Sequence, residues 1–252
     1  MKPAFVTVVG SKLYGVATAA SDTDFKGFGF CEIDEVIGLK TFEQQEYNNQ
    51  KPDGPEKAEG VIYDIRRYVH LCLKANPTVI EIAYADPKFY MHTTPIGLEV
   101  ADFVRKHMLT QRLFPAYSAY HRAQMRKLQS MERTGKRKDE IFKFGYDTKF
   151  AGHAYRLARQ CVIVLTENTL RPTLDPEDAE MCLKIRRGEF SKEEALAILE
   201  KVDKDMYAAH QTTVIPTEPD FNKANAFVID LYLRYLKGEF DSQLTPIYVP
   251  FY

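Results

Sequence analysis

The chain has 252 residues, enough to bury the core of one large domain or of two smaller ones, and its 34 basic and 35 acidic residues nearly cancel, so any contact with nucleic acid has to come from a local basic patch. The four cysteines are scattered in apolar contexts without a CxxC pair, which predicts buried reduced thiols and argues against a zinc site or a disulfide framework. The amino-terminal MKPAFVTVVG is too short for a signal peptide and no apolar run approaches the roughly 20 residues that span a bilayer, so we expect a soluble, cytoplasmic protein without a membrane partner.

The first hundred residues alternate strand and helix patterns that are separated by turn residues. The β-rich AFVTVV at 4–9 and the alternating SDTDFKGFGF at 21–30 predict two strands, with one or two helical turns in SKLYGVAT at 11–18 between them. Further along, the predicted elements are a short helix in IDEVIGL, a strand in EGVIYDI that belongs to a hairpin, a helix in DIRRYVHLCLKAN, and a last buried strand in TVIEIAYAD.

From about residue 96 the pattern changes to successive helices with apolar stripes of 3.6-residue period. Ser191 with Glu194 is typical of a capping box, and Gly188 and Gly238 stand where helix ends favour glycine. We therefore predict an α+β fold with a mixed-sheet domain over residues 1–95 and a helical domain over residues 96–252.

Asp22 and Asp24 stand two residues apart in the second predicted strand. Side chains at i and i+2 of a strand project from the same face, where two carboxylates repel each other unless a cation lies between them. A divalent cation such as Mg²⁺, which prefers oxygen ligands, meets that need. The alternative is an exposed turn, because Ser-Asp-Thr-Asp also suits a turn.

Gly10 and Ser11 stand between the first strand and the helical turns. Glycine lets a phosphate approach the backbone closely, and the serine hydroxyl and exposed N–H groups can donate to it. With the paired aspartates about ten residues further on, this order predicts a site for a triphosphate and a metal ion. A plain loop is the alternative for the dipeptide.

The stretch GSKLYGVATAASDTDFKGFGF resembles the signature of the DNA polymerase β-like nucleotidyltransferase superfamily, in which a strand-end Gly-Ser precedes a D-x-D strand. It is more closely similar to the predicted nucleotidyltransferases of bacteria and phages that are associated with RNA ligases. The similarity covers most of the chain. It rests on Gly10, Ser11, Tyr14 and Gly15; on Ser21, Asp22, Asp24 and Gly27; on Asn76, Pro77, Thr78 and Glu81; and on Lys149, His153 and Arg156, which match a K-x-x-x-H-x-x-R helix.

The resemblance implies a palm-like first domain, a helical domain that closes over the nucleotide and acceptor, and catalysis with two Mg²⁺ ions, with Mn²⁺ as the alternative metal. Asp22 and Asp24 would be metal ligands, and a third carboxylate from a later strand would complete the site. Glu59 is the favoured third acid, although the family more often has Asp there, and Asp64 is the alternative. Because an odd number of positions separates these two residues on one strand, only one of them can face the metals.

Four basic residues are candidates for binding the phosphates of the nucleotide. Lys26 closely follows the aspartates, while Lys149, His153 and Arg156 lie at i, i+4 and i+7 and so share one face of a helix. The alternatives are a solvated charge at each position and a packed histidine at His153. Glu81 is a candidate for orienting the site or for a buried structural ion pair.

Two other stretches are candidates for contact with RNA. The charged MERTGKRKDE at 131–140 predicts a mobile loop that either steers RNA or is simply solvated, through Arg133, Lys136, Arg137 and Lys138. The aromatic-rich FPAYSAYHR at 114–122 could stack bases, although its helical spacing favours packing in a core.

The motifs predict a triphosphate and metal site, and the resemblance implies a metal-dependent nucleotidyltransferase that moves a nucleoside monophosphate from a nucleoside triphosphate to an acceptor hydroxyl and releases pyrophosphate. An RNA or tRNA end is the favoured acceptor, because the resembling proteins are associated with RNA ligases. Two other classes stay open, a catalytically degenerate nucleotide- or RNA-binding module and an antitoxin-like interaction protein. A glycosyltransferase with a DxD motif is disfavoured by the early Gly-Ser and its spacing to the acids.

Overall fold

The computed structural model describes residues 1–18, 21–40, 42–49, 58–129 and 141–244. The chain forms two compact units, the first from residues 1–108 together with residues from 219 onward, and the second from residues 109–218. The predicted division after residue 95 falls inside the first unit. The helix that follows residue 95 and the last described helix both belong to that unit.

The first unit holds a mixed sheet, which confirms the predicted α+β class. Its strands within the described residues are β1 (Lys2–Val9), β2 (Thr23–Phe30), β3 (Gln44–Asn49), β4 (Ala58–Asp64) and β5 (Tyr90–Thr93), in the order β3-β4-β2-β1-β5. β2 and β4 run parallel, and the other neighbours run antiparallel. The predicted hairpin is the β3–β4 pair.

The helices follow the predicted positions closely. Those of the first unit are α1 (Gly10–Tyr14), α2 (Ile33–Val36), α3 (Ile65–Leu73), α4 (Pro77–Ile80) and α5 (Pro95–His107); those of the second are α6 (Leu113–Gln129), α7 (Thr148–Glu167), α8 (Pro176–Arg187) and α9 (Lys192–Thr212); α10 (Phe221–Leu236) again belongs to the first. Ser191 and Glu194 form the predicted capping box of α9. None of the helices in the described part of the chain is long and apolar enough to cross a membrane.

One predicted element is wrong. The stretch TVIEIAYAD forms α4 and a 3₁₀ turn at Glu81–Tyr84 in place of a strand. The Asn76 side chain caps α4 by accepting a hydrogen bond from the backbone N–H of Thr78, and Pro77 occupies the first helical position, where a missing N–H costs nothing. A short segment that is buried on all sides carries no periodicity to separate a strand from a helix, so the local cap decides its structure.

The sheet of the first unit is buried on both faces around its central strands. On one face Phe5 of β1 stacks with Phe28 of β2 at 5.4 Å between ring centroids, and Phe28 stacks with Tyr68 of α3 at 4.2 Å. On the other face Val6 and Phe25 form a fully buried cluster with Ile62 of β4. This core fixes the register of β1, β2 and β4, because a slip by one residue would turn these side chains to the wrong face.

The four cysteines are buried free thiols, as predicted. Burial raises the pKa of the Cys31, Cys72 and Cys161 thiols, and it raises the pKa of Cys182 to about 11. The thiolate that reacts with oxidants and alkylating agents is therefore scarce at neutral pH, and packing is their role in the fold.

Candidate active site

The register of the sheet brings Asp24 and Glu59 side by side. Asp24 in β2 is the direct partner of Glu59 in the parallel strand β4, so both side chains leave the same face of the sheet at neighbouring positions. Neighbouring strands lie about 4.8 Å apart. The Asp24 side chain is half-buried and the Glu59 side chain is exposed. Two carboxylates at neighbouring positions repel each other, the argument that the sequence raised for Asp22 and Asp24.

Gly10 and Asp24 lie in direct contact. β1 ends at Val9, which pairs with Asp24, and α1 begins at Gly10, as predicted for a Gly-Ser at the end of a strand. Gly10 has a φ of 69°, and a Cβ atom at this position would lie only 2.4 Å from Asp24 Oδ2. Only glycine fits there without displacing the carboxylate. The fold thus places the Gly10-Ser11 backbone against one of the two paired acids.

Asp22 lies at the entrance to β2 and not within it. The strand begins at Thr23, and the Asp22 side chain is exposed. The Lys12 ammonium of α1 donates a hydrogen bond to the Thr23 hydroxyl, so a cation of the chain itself lies at the start of this strand. Lys12 directly follows Gly10-Ser11, but its place on a short helix has no sequence pattern that separates it from a solvated charge.

Asp64 is not among the acids that the sheet brings together. It pairs with Gly29, five positions along β4 from Glu59, which corresponds to ~16 Å of strand. Its buried side chain caps α3 by accepting from the backbone N–H of Arg66 at 3.0 Å and from Arg66 Nε at 2.8 Å. The Tyr232 hydroxyl donates to the other carboxylate oxygen. These contacts make Asp64 part of the framework between β4, α3 and α10.

The Asn-Pro-Thr segment and Glu81 form hydrogen bonds with residues of β2 and α1. Lys26 Nζ donates to the Thr78 carbonyl at 2.9 Å, and the Tyr14 hydroxyl donates to Glu81 Oε1 at 2.8 Å. Tyr14 and Glu81 are both buried. The predicted motif pieces around residues 14, 26 and 78–81 are thereby joined: α4 and the 3₁₀ turn hold β2 through Lys26 and hold α1 through Tyr14.

The basic residues predicted on one helix face lie on α7 of the second unit. Lys149 is exposed and His153 is half-buried, whereas Arg156 is only 5% exposed and donates to Gln160 Oε1 at 2.6 Å. The three side chains therefore do not form a solvated stripe. Arg156 is a buried structural cation, and the other two present basic or titratable groups toward the surface of their own unit.

Two stretches named for contact with RNA have different outcomes. The charged residues at 131–140 lie outside the described part of the chain. The stretch at 114–122 lies in α6, where Tyr117 is buried in the core, as its helical spacing indicated, while Tyr120 is 41% exposed.

The acidic pair fits a magnesium ion that is shared with a substrate. Among the described residues, no group of three or more histidine, cysteine, aspartate or glutamate side chains is arranged to hold a metal ion. Mg²⁺ is usually bound in proteins through only one or two carboxylates, with water and substrate phosphates as its other ligands. Asp24 and Glu59 supply such a pair, with Gly10 directly beside Asp24.

Comparison with known families adds one finding. A family model described as the RNA repair pathway DNA polymerase beta family (RlaP) matches residues 2–230, which extends from β1 into α10 and includes every candidate residue named above. No curated protein matches the chain.

Proposed function

Because the chain belongs to the RNA repair pathway DNA polymerase beta family, we propose that it is a Mg²⁺-dependent nucleotidyltransferase that acts on RNA. It transfers a nucleoside monophosphate from a nucleoside triphosphate to an acceptor hydroxyl of an RNA or tRNA end. A bond forms between the acceptor oxygen and the α-phosphorus. The bond between this phosphorus and the oxygen that bridges the α- and β-phosphates breaks, and pyrophosphate leaves.

The juxtaposition of Asp24, Glu59 and Gly10 is the observation that carries this proposal. Asp24 and Glu59 are direct partners in parallel strands, and the Asp24 carboxylate lies against the Gly10 backbone. Gly10-Ser11 and the two carboxylates thus lie at one end of the sheet, and the proposal is supported by their chemistry, since glycine with serine suits a phosphate and paired carboxylates suit Mg²⁺.

Each residue has a defined task in the proposed reaction. Asp24 and Glu59 would hold the metal, with Asp22 as a further acid at the start of β2, and bound Mg²⁺ would neutralise phosphate charge and favour ionisation of the attacking hydroxyl. The Ser11 hydroxyl and the backbone N–H groups beside it donate to phosphate oxygens and orient the triphosphate for in-line attack. Lys12 and Lys26 would place positive charge beside the site. Lys149 and His153 are still predicted to bind the phosphates.

Transfer of label from α-³²P nucleoside triphosphates to a pool of small RNAs tests the proposal. Each of the four ribonucleotides is offered with Mg²⁺ or Mn²⁺, and wild type is compared with Asp24→Asn. We expect label transfer and pyrophosphate release with wild type and a loss of about a hundredfold or more in the variant, because several kcal/mol of transition-state stabilisation depend on the metal. Asp34→Asn, which changes an exposed carboxylate paired with Lys40, is the control and should keep full activity. Full activity in Asp24→Asn would contradict the metal assignment.

A binding module is the second candidate, and a glutamate where the family more often has aspartate favours it. Such a module would bind a nucleoside triphosphate in a metal-dependent manner without releasing pyrophosphate. Equilibrium dialysis of labelled nucleotide with and without Mg²⁺ tests this candidate. Mg²⁺-dependent binding without pyrophosphate release indicates a binding module, and no binding indicates that the chain has no nucleotide site.

A further inference from the structure

A cavity of about 360 Å³ lies between α6 and α9 in the second unit. Both helices pack extensively on α7 and only sparsely on each other, so a gap separates them. The polar side chains that line the cavity come from one face of each helix, His121, Arg122 and Arg126 from α6 and Glu200 and Asp203 from α9. Titratable groups of two helices thus share one space.

The ring of His121 is held in one tautomer. Its side chain is only 2% exposed, and Nδ1 lies 2.9 Å from the Ala154 carbonyl oxygen of α7. Because a carbonyl oxygen only accepts, Nδ1 carries the hydrogen and donates it, and the neutral ring has its lone pair on Nε2. An imidazole that is fixed in this way through its other nitrogen is typical of histidines that bind metal ions.

Asp203 lies beside this lone pair. Its Oδ1 is 3.7 Å from His121 Nε2, which is too long for a hydrogen bond. The same Oδ1 is a buried atom that has no hydrogen-bond partner in the described part of the chain. A buried acceptor without a partner costs free energy and so needs an explanation, of which a bound ion is one.

The separation of the two atoms suits a metal ion better than a shared hydrogen-bond donor. Bonds of about 2.1 Å from one metal ion to both atoms enclose an angle of about 120°, which is close to the angles of a tetrahedral zinc site. A donor that bridged them at about 2.9 Å would have to enclose about 80°, too narrow for the hydrogens of water or an ammonium group. Imidazole nitrogen with carboxylate oxygen suits Zn²⁺, whereas Mg²⁺ and Ca²⁺ prefer oxygen alone.

The other charged side chains of the cavity supply one further candidate ligand. Glu200 is exposed and precedes Asp203 by one turn of α9, so both carboxylates lie on the same face of this helix. No complete group of three such ligands is in place within the described residues, so water has to fill the other positions. Arg122 donates to the Tyr207 hydroxyl, and Arg126 is exposed. The two guanidinium groups balance the charge of the two carboxylates.

We propose that His121 and Asp203 bind a Zn²⁺ ion that links α6 to α9. The site uses none of the four cysteines and is therefore unlike the cysteine-based zinc sites that the sequence argued against. It lies in the second unit, whereas Asp24 and Glu59 belong to the first, and it does not depend on nucleotide transfer. A metal ion that binds only the folded unit stabilises it.

Zinc binding to the metal-stripped full chain, measured by competition with a chromophoric chelator, tests the ligand pair. Excess Mg²⁺ is present, so that Asp24 and Glu59 are supplied with their proposed metal. We expect one Zn²⁺ ion per chain in the wild type and a Kd at least about tenfold higher in Asp203→Asn, because even changes behind the ligands cost about 10–100-fold in metal affinity. Asp205→Asn changes an acid of the same helix that pairs with Lys201, and it should bind Zn²⁺ as the wild type does.

A change of the ligand atom shows whether residue 203 touches the metal. Asp203→Cys replaces the carboxylate by a thiolate, a ligand that Zn²⁺ and Co²⁺ bind strongly. Co²⁺ added to this variant should produce a thiolate-to-metal charge-transfer absorption that the wild type and Asp205→Cys lack. The Asp203 side chain is 34% exposed, so the fold tolerates these changes better than changes of the buried His121.

Thermal unfolding measures the link between the two helices. Zn²⁺ should raise the midpoint of unfolding of the full chain by a few degrees relative to a chelator, because a ligand of the folded state stabilises it. The increase should be absent in Asp203→Asn and preserved in Asp205→Asn.

The outcomes separate this inference from the proposed function. Equal zinc affinity in the wild type and Asp203→Asn overturns it, and the contact of His121 with Asp203 is then an ion pair between two helices. Zinc binding that is lost in Asp24→Asn and kept in Asp203→Asn assigns the ion to the first unit and also overturns it. Binding that is lost in Asp203→Asn, together with the charge-transfer absorption of Asp203→Cys, supports the site whether or not the chain transfers nucleotides.

Discussion

At the scale of single residues, the absence of a side chain at Gly10 matters both for the local fold and for the proposed chemistry. Gly10→Ala forces a residue with a side chain into a φ of 69° and places its Cβ 2.4 Å from Asp24 Oδ2. We expect a loss of about 1–3 kcal/mol in the free energy of unfolding from the backbone strain and displacement, and a loss of at least about tenfold in transfer activity. Urea unfolding and label transfer per folded molecule measure the two effects.

Gly145→Ala is the matched control for this change. Gly145 has a φ of 77°, close to that of Gly10, but a Cβ atom there would meet nothing within 4 Å. This variant should therefore lose a comparable amount of stability from strain and keep its transfer activity. An equal loss of activity in the two variants would mean that contact with the Asp24 carboxylate does not matter.

The hydrogen bond between Tyr14 and Glu81 is a second single-residue contact with a measurable effect on the free energy of unfolding. Tyr14→Phe removes a hydroxyl that donates to a carboxylate only 2% exposed, which should lower the free energy of unfolding by about 1–3 kcal/mol. Glu81→Gln keeps an oxygen that can accept this hydrogen bond and should cost less. A double-mutant cycle of the two changes measures their coupling, and a coupling energy near zero would contradict the role of this contact in holding α1.

At the scale of elements, the two ends of β4 separate the roles of two acids. Asp64 caps α3, pairs with Arg66 and accepts from Tyr232, whereas Glu59 lies exposed beside Asp24. We expect Asp64→Asn to lower the free energy of unfolding by about 1–3 kcal/mol, because it weakens a buried charge-assisted network, and to leave activity per folded molecule nearly unchanged. Glu59→Gln should abolish transfer with little change in stability. Equal, mild effects in both variants would place the third acid elsewhere.

The elements also show which part of the structure the sequence could predict. The strands around residues 4–9, 21–30 and 58–64 follow from alternating or β-rich patterns, and with them the strand-end position of Gly10-Ser11. The contact between Asp64 and Tyr232 could not be predicted, because the two residues are 168 positions apart along the chain. The cap role of Asp64 is by contrast a local signal, an aspartate directly before a helix. The helix at 77–80 was predicted as a strand, because a segment that is buried on all sides shows no helical period in its apolar residues. Asn76-Pro77 is nevertheless a cap signal in itself.

At the scale of the whole molecule, the division into units could not be predicted from helical periodicity. An apolar stripe shows that a helix is buried on one face and does not show against which partner. The helices α5 and α10 have the same pattern as α6–α9, yet they belong to the unit that contains the sheet. The division depends on contacts between residues far apart in sequence, which the order of motifs does not reveal.

The second unit has the anatomy of an inserted domain. Its two ends lie together, since the backbone N–H of Gln111 donates to the Pro216 carbonyl at 2.8 Å and Gln111 Nε2 donates to the Ile215 carbonyl at 2.9 Å. Some of its buried polar groups pair within it: the Tyr155 hydroxyl donates to Asp178 at 2.7 Å, and Arg159 pairs with the same carboxylate at 2.9 Å. Adjacent ends and a separate core are the features of domains that fold alone.

We therefore expect residues 109–218 to fold in isolation, while residues 1–95, the domain that the sequence predicted, do not. The isolated second unit should show a helical circular dichroism spectrum and one cooperative thermal transition, because its four long helices and their core are complete. Residues 1–95 lack α5 and α10, including the Tyr232 that contacts Asp64, and should aggregate or unfold without cooperativity. Joining residue 108 to residue 219 through a short Gly-Ser linker should restore a cooperative first unit. A cooperative transition in residues 1–95 together with a gradual one in residues 109–218 would contradict the division and favour the boundary at residue 95.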